Sequence, residues 1–120
     1  MKTIPYFTGC LVLQPLPNGK DWKLMETFGF MTEEGKHVVV PENYIVDGAS
    51  IPRPFWRLIG SPMTGKYRRA SVIHDYLCRE NTTPRAWTDK VFLSAMKVGG
   101  VPSWKRRAMY WAVRAASFFS

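Results

Sequence analysis

Apolar and polar positions alternate along the first part of the chain, as in β-strands with one buried face. Three apolar, β-prone segments, 7–16, 22–31 and 37–46, are separated by Pro17-Asn18-Gly19-Lys20 and by Glu33-Glu34-Gly35-Lys36. Both separators carry turn residues, and Asn-Gly adopts positive φ at low cost. The pattern therefore predicts an N-terminal antiparallel β-meander of about three strands within residues 1–46.

Helical periodicity replaces this alternation after residue 50. We expect a short helix that Ser50 caps, and longer helices over 66–79, 84–98 and from Ser103 to the C-terminus. The short loop between the second and third helices predicts a helical hairpin. The sequence therefore predicts an α+β fold in which three to four C-terminal helices pack on the sheet. At 120 residues we expect a single domain, 1–120, strand-rich over 1–46 and helical over 50–120.

The last predicted helix carries an apolar stripe at helical spacing. Its members are Trp104, Ala108, Trp111, Ala115 and Phe118. A basic amphipathic helix of this kind can lie on a membrane surface. We expect core packing instead, because a small domain needs the apolar area.

The chain is strongly basic, with 17 Lys and Arg against 9 Asp and Glu and a net charge of +8. This balance favours nucleic acid, anionic lipid or an acidic protein as partner, and it does not choose among them. Cys10 and Cys78 lack zinc-ligand spacing, and two isolated cysteines indicate free thiols in a reducing compartment. The apolar run before Cys10 is too short for a signal peptide, and we expect no transmembrane segment.

His74 and Asp89 are the main candidates for chemistry. His74 lies about five residues before the end of its predicted helix, and Asp89 about five after the start of the next. In an antiparallel hairpin the two side chains come level, so we expect a hydrogen bond between them. Asp89 would then fix the tautomer and leave the second imidazole nitrogen free to act as a general base. The alternative is a buried pair with a structural role alone.

Four other residues complete the candidate set. Asp75 could bind calcium if backbone carbonyls from residues 60–65 completed the site, or it could pair with Arg79 four residues on. Asp47 and Ser50 suit a turn and a helix cap, and would be functional only if one of them pointed at His74. Tyr76 lies beside Asp75. Because no Gly-x-Ser-x-Gly motif is present, the sequence argues against a serine hydrolase.

These motifs resemble a known family. Asp47-Gly48-Ala49-Ser50-Ile51-Pro52, the region of Trp56, His74-Asp75-Tyr76-Leu77 and Asp89-x-x-Phe92 resemble the phage and prophage family called domain of unknown function 1353. The likeness extends from about residue 28 to residue 114. It implies a phage-encoded protein, located in the host cytoplasm or the phage particle, with another phage or host protein as partner.

A second, local resemblance covers about 25 residues. His74-Asp75-x-x-Cys78-Arg79, followed by Asp89-x-x-Phe92-x-x-x-Met96, looks like the helix pair of bacterial phospholipase A2 proteins. That likeness implies that His74 activates water, Asp75 binds calcium and Asp89 orients the histidine.

Three functions are therefore open. The first is a small basic virion, tail-associated or accessory binding component. The second is a phospholipase- or esterase-like hydrolase with calcium as candidate cofactor. The third is a non-specific nucleic-acid binder, although no reading motif is present.

Overall fold

Each of the three predicted N-terminal strands is divided into two shorter strands. The computed structural model describes residues 3–48, 50–59 and 65–119. Its strands are β1 (Tyr6–Thr8), β2 (Leu13–Pro15), β3 (Trp22–Leu24), β4 (Phe28–Met31), β5 (His37–Val40) and β6 (Ile45–Val46). They form two antiparallel sheets with the orders β1-β4-β5 and β2-β3-β6. Each sheet takes one strand from each of the three predicted segments, in the order predicted for the meander. The described residues thus form more strands than expected.

Backbone conformation explains where the strands divide. Gly9 follows β1 with φ of +75°, a conformation that side chains disfavour and that ends an extended strand. Between β5 and β6, Pro41 lacks an amide hydrogen and Asn43 has φ of +73°. The predicted Asn-Gly turn is present, with φ of +76° at Gly19. The first and third predicted strands therefore divide at positions whose backbone conformation ends an extended strand.

Strand β5 buries alternate side chains. In β5, Val38 and Val40 are buried, whereas His37 and Val39 are exposed. Leu24, Phe28 and Phe30 contribute the large buried side chains of the central segment. His37 lies at the surface, and its Nε2 forms a 2.8 Å hydrogen bond with the Thr8 hydroxyl.

The helices follow the strands, and this confirms the α+β class. A 3-10 turn (Arg53–Phe55) leads into α1 (Trp56–Ile59), and a second (Gly65–Tyr67) leads into α2 (Arg68–Glu80). The chain continues through α3 (Arg85–Val98) and α4 (Ser103–Phe119). Two compact units result, Met1–Asp47 and Gly48–Ser120, divided where the sequence changes from strand-rich to helical. The single domain stays a prediction.

The helical hairpin is present between α2 and α3. Asn81 ends α2 in the left-handed conformation, with φ of 50° and ψ of 38°, and its amide donates to the Leu77 carbonyl. A short polar side chain tolerates this conformation. Helix α2 packs against α3, and α3 packs against α4. The turn therefore brings the middle of α2 beside the first turns of α3.

Core packing of the α4 aromatic stripe was a wrong prediction. Trp104, Trp111 and Phe118 are 62%, 67% and 74% exposed, whereas Met109 and Val113 are fully buried. The helix has two apolar stripes, and the one with the smaller side chains faces inward. Small side chains let packed helices approach closely, which explains this choice. Among the described residues, no helix has both the length and the apolar character needed to cross a bilayer.

Candidate functional site

The predicted bond between His74 and Asp89 is present across the hairpin. Nε2 of His74 lies 2.7 Å from Oδ1 of Asp89, and both side chains are fully buried. The imidazole also packs on the Phe92 ring, with centroids 4.6 Å apart. These contacts confirm the pairing that the matched helix positions predicted. The other ring nitrogen, Nδ1, is left for a second polar contact.

Nδ1 of His74 faces Ser50. The Ser50 hydroxyl lies 2.9 Å from Nδ1 and is half-buried. Its expected role as a helix cap was wrong, because Pro52 occupies the cap position of the following 3-10 turn and no side chain caps it. The serine hydroxyl is directed to the histidine instead. This contact is the condition under which a functional role for Ser50 was predicted.

Proton positions follow from the partners. Ionised Asp89 accepts, so His74 donates to it from Nε2–H, and Nδ1 is then the acceptor for the Ser50 hydroxyl. The result is a chain in which Ser50 donates to His74 and His74 donates to Asp89. Burial lowers the pKa of His74, against the opposing effect of Asp89. The imidazole is therefore neutral near pH 7 and able to accept a proton.

Two arginines stabilise the Asp89 carboxylate. Arg114 of α4 donates to Oδ2 at 3.0 Å, and Nε of Arg85 lies 3.3 Å from Oδ1. Burial opposes ionisation of Asp89, but the hydrogen bond and charge of His74, the hydrogen bond from Arg114 and the charge of Arg85 together lower its pKa. Because His74 is neutral near pH 7, we attribute the charge stabilisation chiefly to the arginines.

Sequence reasoning missed both arginines. The i, i+4 spacing of Arg85 and Asp89 is a recognisable helix-pair signal. Arg114 carries no such signal, because its approach depends on how α4 packs on α3.

The Cys78 thiol lies beside the same imidazole ring. Its sulfur lies 3.8 Å from Nδ1 and 3.7 Å from Nε2 of His74. Burial raises the pKa of the Cys78 thiol to about 11. The sulfur is thus a protonated neighbour near neutral pH, and Ser50 is the better candidate nucleophile.

Asp75 forms the alternative contact that the sequence allowed. It is 2% exposed, and its Oδ2 lies 3.2 Å from Nε of Arg79. The carbonyls proposed to complete a calcium site come from residues 60–65, of which 60–64 lie outside the described residues. Within the described ranges, no group of three or more His, Cys, Asp or Glu side chains could hold a metal. Calcium binding by Asp75 stays a prediction.

The structure does not bring the whole candidate set together. Ser50, His74 and Asp89 are joined by hydrogen bonds. Tyr76 is half-buried on α2, and Asp47 is the last residue of the strand-rich unit. Functional roles for Tyr76 and Asp47 stay predictions.

Comparison with known proteins places the chain among uncharacterized relatives. The chain is 46% identical to the uncharacterized protein y4jT of Sinorhizobium fredii over 77% of its own length and 27% of the relative's. It is 33% identical to the uncharacterized protein y4iH of the same organism over 91% of its own length and 46% of the relative's. The chain thus spans less than half of either relative.

No solved structure matches the chain significantly. The family described as "Protein of unknown function (DUF1353)" matches residues 22–113, which include Ser50, His74 and Asp89. The chain therefore belongs to the DUF1353 family.

Proposed function

We propose that this protein is a hydrolase that cleaves an ester or related acyl bond, with Ser50 as nucleophile, His74 as general base and Asp89 as the group that orients His74. The observation that carries the proposal is the hydrogen-bond chain from Ser50 through His74 to Asp89, at 2.9 and 2.7 Å. Nucleophile, base and orienting carboxylate in this order define a catalytic triad by geometry, whatever their order in sequence. The missing Gly-x-Ser-x-Gly motif argues against one family of serine hydrolases, and the proposal rests on this geometry instead.

Exposure supports the direction of the chain. His74 and Asp89 are fully buried, whereas Ser50 is only half-buried. The partly exposed end of the relay is therefore the Ser50 end, and the proposal has the substrate approach from that end. A water activated directly by His74 would need access to Nδ1, which Ser50 already contacts. The arrangement therefore favours Ser50 as nucleophile over a water molecule activated by His74, which is the mechanism that the phospholipase resemblance implies.

The chemistry follows from the proton positions. Ser50 Oγ attacks the acyl carbonyl carbon while its proton moves to Nδ1 of His74. Nδ1–H then protonates the leaving alcohol, the carbon–oxygen bond to that alcohol breaks, and an acyl-Ser50 intermediate forms. Water hydrolyses the intermediate by the same steps, with His74 as base. Asp89 stays ionised throughout and stabilises the imidazolium that forms transiently.

The segment that follows Ser50 suggests the substrate class. Arg53, Pro54, Trp56 and Arg57 line an open cavity of about 540 Å³. The Trp56 indole is held by a 3.0 Å hydrogen bond to the Ile51 carbonyl, and the Arg53 guanidinium lies 4.8 Å from the centre of its ring. Guanidinium groups bind carboxylates and phosphates. We therefore propose an ester that carries an anionic group.

A fluorophosphonate probe tests the nucleophile directly. Attack by Ser50 would form an oxygen–phosphorus bond and expel fluoride, with the hydroxyl proton passing to His74. Peptide mass spectrometry should locate the label on Ser50, and Ser50→Ala should abolish labelling. Ser103→Ala, at an exposed serine that begins α4, is the matched control and should label normally.

The histidine variant separates catalysis from structure. His74→Gln should lower the labelling rate and the hydrolysis of p-nitrophenyl acetate by at least about 100-fold in protein that circular dichroism shows to be folded. If Ser50 is not labelled, or if its labelling falls only in proportion to folded protein, the pair is structural and the hydrolase proposal is wrong.

The other functional predictions have separate grounds. A virion or accessory component rests on the phage resemblance, and nucleic-acid binding rests on the charge of +8. Neither the family description nor the names of the relatives states a function, so both stay predictions, as does a phage or host protein partner.

A further inference from the structure

Helix α4 presents an apolar face to solvent. Trp104, Trp111 and Phe118 are 62%, 67% and 74% exposed and follow one another at intervals of seven residues. Seven residues turn a helix through nearly two full turns, so the three rings lie on one face over about 21 Å of axial rise. Ala108 and Ala115 lie between the rings on the same face. The face is therefore a continuous apolar strip with a large ring in every second turn.

Positive charge borders this strip, and α4 contains no acidic residue. Lys105 Nζ lies 5.4 Å from the centre of the Trp104 ring, and the Arg114 guanidinium lies 5.1 Å from that of Phe118. Arg107 is exposed and lies one helical turn before Trp111. Apolar rings flanked by cations match the boundary of an anionic bilayer, where rings enter the acyl region and cations meet the headgroups.

We infer that α4 binds an anionic phospholipid surface with its axis parallel to the membrane plane, through Trp104, Trp111 and Phe118. Tryptophan favours this boundary because its indole is apolar and carries one polar N–H group. Lys105 and the exposed Arg107 supply the attraction to acidic headgroups, because the Arg114 guanidinium is already paired with Asp89. The proposal does not depend on the activity of Ser50.

The contacts that anchor α4 explain how the strip can be presented without unfolding. Met109 and Val113 are fully buried, Arg106 donates to the Val101 carbonyl at 3.1 Å, and Arg114 is bound to Asp89. These contacts hold the helix in its unit while the aromatic face stays exposed. Membrane binding therefore requires no rearrangement of the helix pair beneath it.

Charge complementarity and continuity favour a lipid surface over nucleic acid. A base stacks on the open face of an aromatic ring, and cations of α4 already lie over one face of Trp104 and of Phe118, which reduces the ring area left for stacking. The strip also continues through alanines between the rings, which adds apolar area without any donor or acceptor for a base.

Vesicle co-sedimentation tests the inference with the full chain. Vesicles of phosphatidylcholine containing about one third phosphatidylserine should bind the protein, and binding should weaken as salt is raised. Trp104→Ala with Trp111→Ala should lower the partition coefficient by about tenfold or more. Arg107→Gln should lower it by about fivefold at low salt. The matched control is Tyr6→Ala with Val12→Ala, which removes exposed apolar side chains from the strand-rich unit and should bind normally.

Three results would overturn the inference. The first is no binding to the phosphatidylserine vesicles, or equal binding to vesicles of phosphatidylcholine alone. The second is concentration-dependent self-association that the tryptophan variant abolishes, without vesicle binding, which would assign the face to a second copy. The third is binding to a DNA oligonucleotide, without vesicle binding, that the same variant abolishes. Circular dichroism and the Tm of the variant should match the wild type, because the replaced rings are exposed.

Discussion

Replacement of Asp89 by Asn tests the energetics of the buried carboxylate. The side chain keeps its shape and loses its charge. If the amide oxygen takes the place of Oδ1, it still accepts from His74, but the amide nitrogen then faces Nη1 of Arg114, which lies 3.0 Å from Oδ2 in the native site. Two donors meet there, and a cation that is only 16% exposed loses its partner.

The expected loss follows from these contacts. A hydrogen bond between charged groups contributes about 1.5–3 kcal/mol, and breaking a buried ion pair by removing one partner costs about 3–5 kcal/mol. Arg85 adds little, because its side chain is 35% exposed and screened by solvent. We therefore expect Asp89→Asn to lower the free energy of unfolding by about 3 kcal/mol, and the Tm by about 12 °C at this chain length.

Urea unfolding followed by circular dichroism measures the change, and a double-mutant cycle tests its cause. Arg114→Met removes the stranded cation, so the double variant should lose about 2 kcal/mol less than the sum of the single variants. Arg106→Met is the matched control, because Arg106 lies on the same helix and donates to the Val101 carbonyl instead. An Asp89→Asn loss below about 1 kcal/mol, or additivity with Arg114→Met, would refute the reasoning.

Two further predictions concern ionisation. Burial lowers the pKa of His74. As the pH falls, the unfolded chain therefore protonates this imidazole before the folded chain does, and the free energy of unfolding decreases. The contribution of neutral His74 to stability should be complete above about pH 6.5 and lost below it. Asp89, whose folded pKa is also lowered, should add a second loss below about pH 4. Urea titrations from pH 3 to 8 measure both effects, in buffers spaced about one unit apart. His74→Gln should flatten the upper part of the profile, and a wild-type stability that stays constant or rises toward acid would contradict the assignment. Burial raises the pKa of Cys78 to about 11, so iodoacetamide at about pH 8 should alkylate exposed Cys10 first. Equal rates at the two thiols, measured by peptide mass spectrometry, would contradict this.

Much of the fold could be predicted from the sequence, because turns, loops and helix ends depend on neighbouring residues. The turn at Asn18-Gly19, the hairpin loop before Pro84 and the α+β order all depend on residues close together in the chain. The division of the first and third predicted strands depends on bends of the chain near Gly9 and Pro41. The alternation of apolar and polar residues does not reveal these bends. The choice of the buried stripe on α4 could not be predicted either, because two apolar stripes compete and the outcome depends on packing against α3.

The site was predictable where two helices share one short loop. Equal distances from that loop placed His74 opposite Asp89. Ser50 lies 24 residues before His74 in sequence, and its local context favoured a cap, so only the tertiary structure shows its bond to the imidazole. Arg114 lies 25 residues after Asp89 and was missed for the same reason.

The Asp89 carboxylate also has a consequence for how this unit opens. Asp89 belongs to α3, its Oδ1 holds α2 through His74, and its Oδ2 holds α4 through Arg114. Detachment of either outer helix exposes a charge or strands a buried polar group in the other two. The three helices should therefore exchange their amide hydrogens through one shared opening, whereas an α4 attached by apolar contacts alone could fray by itself.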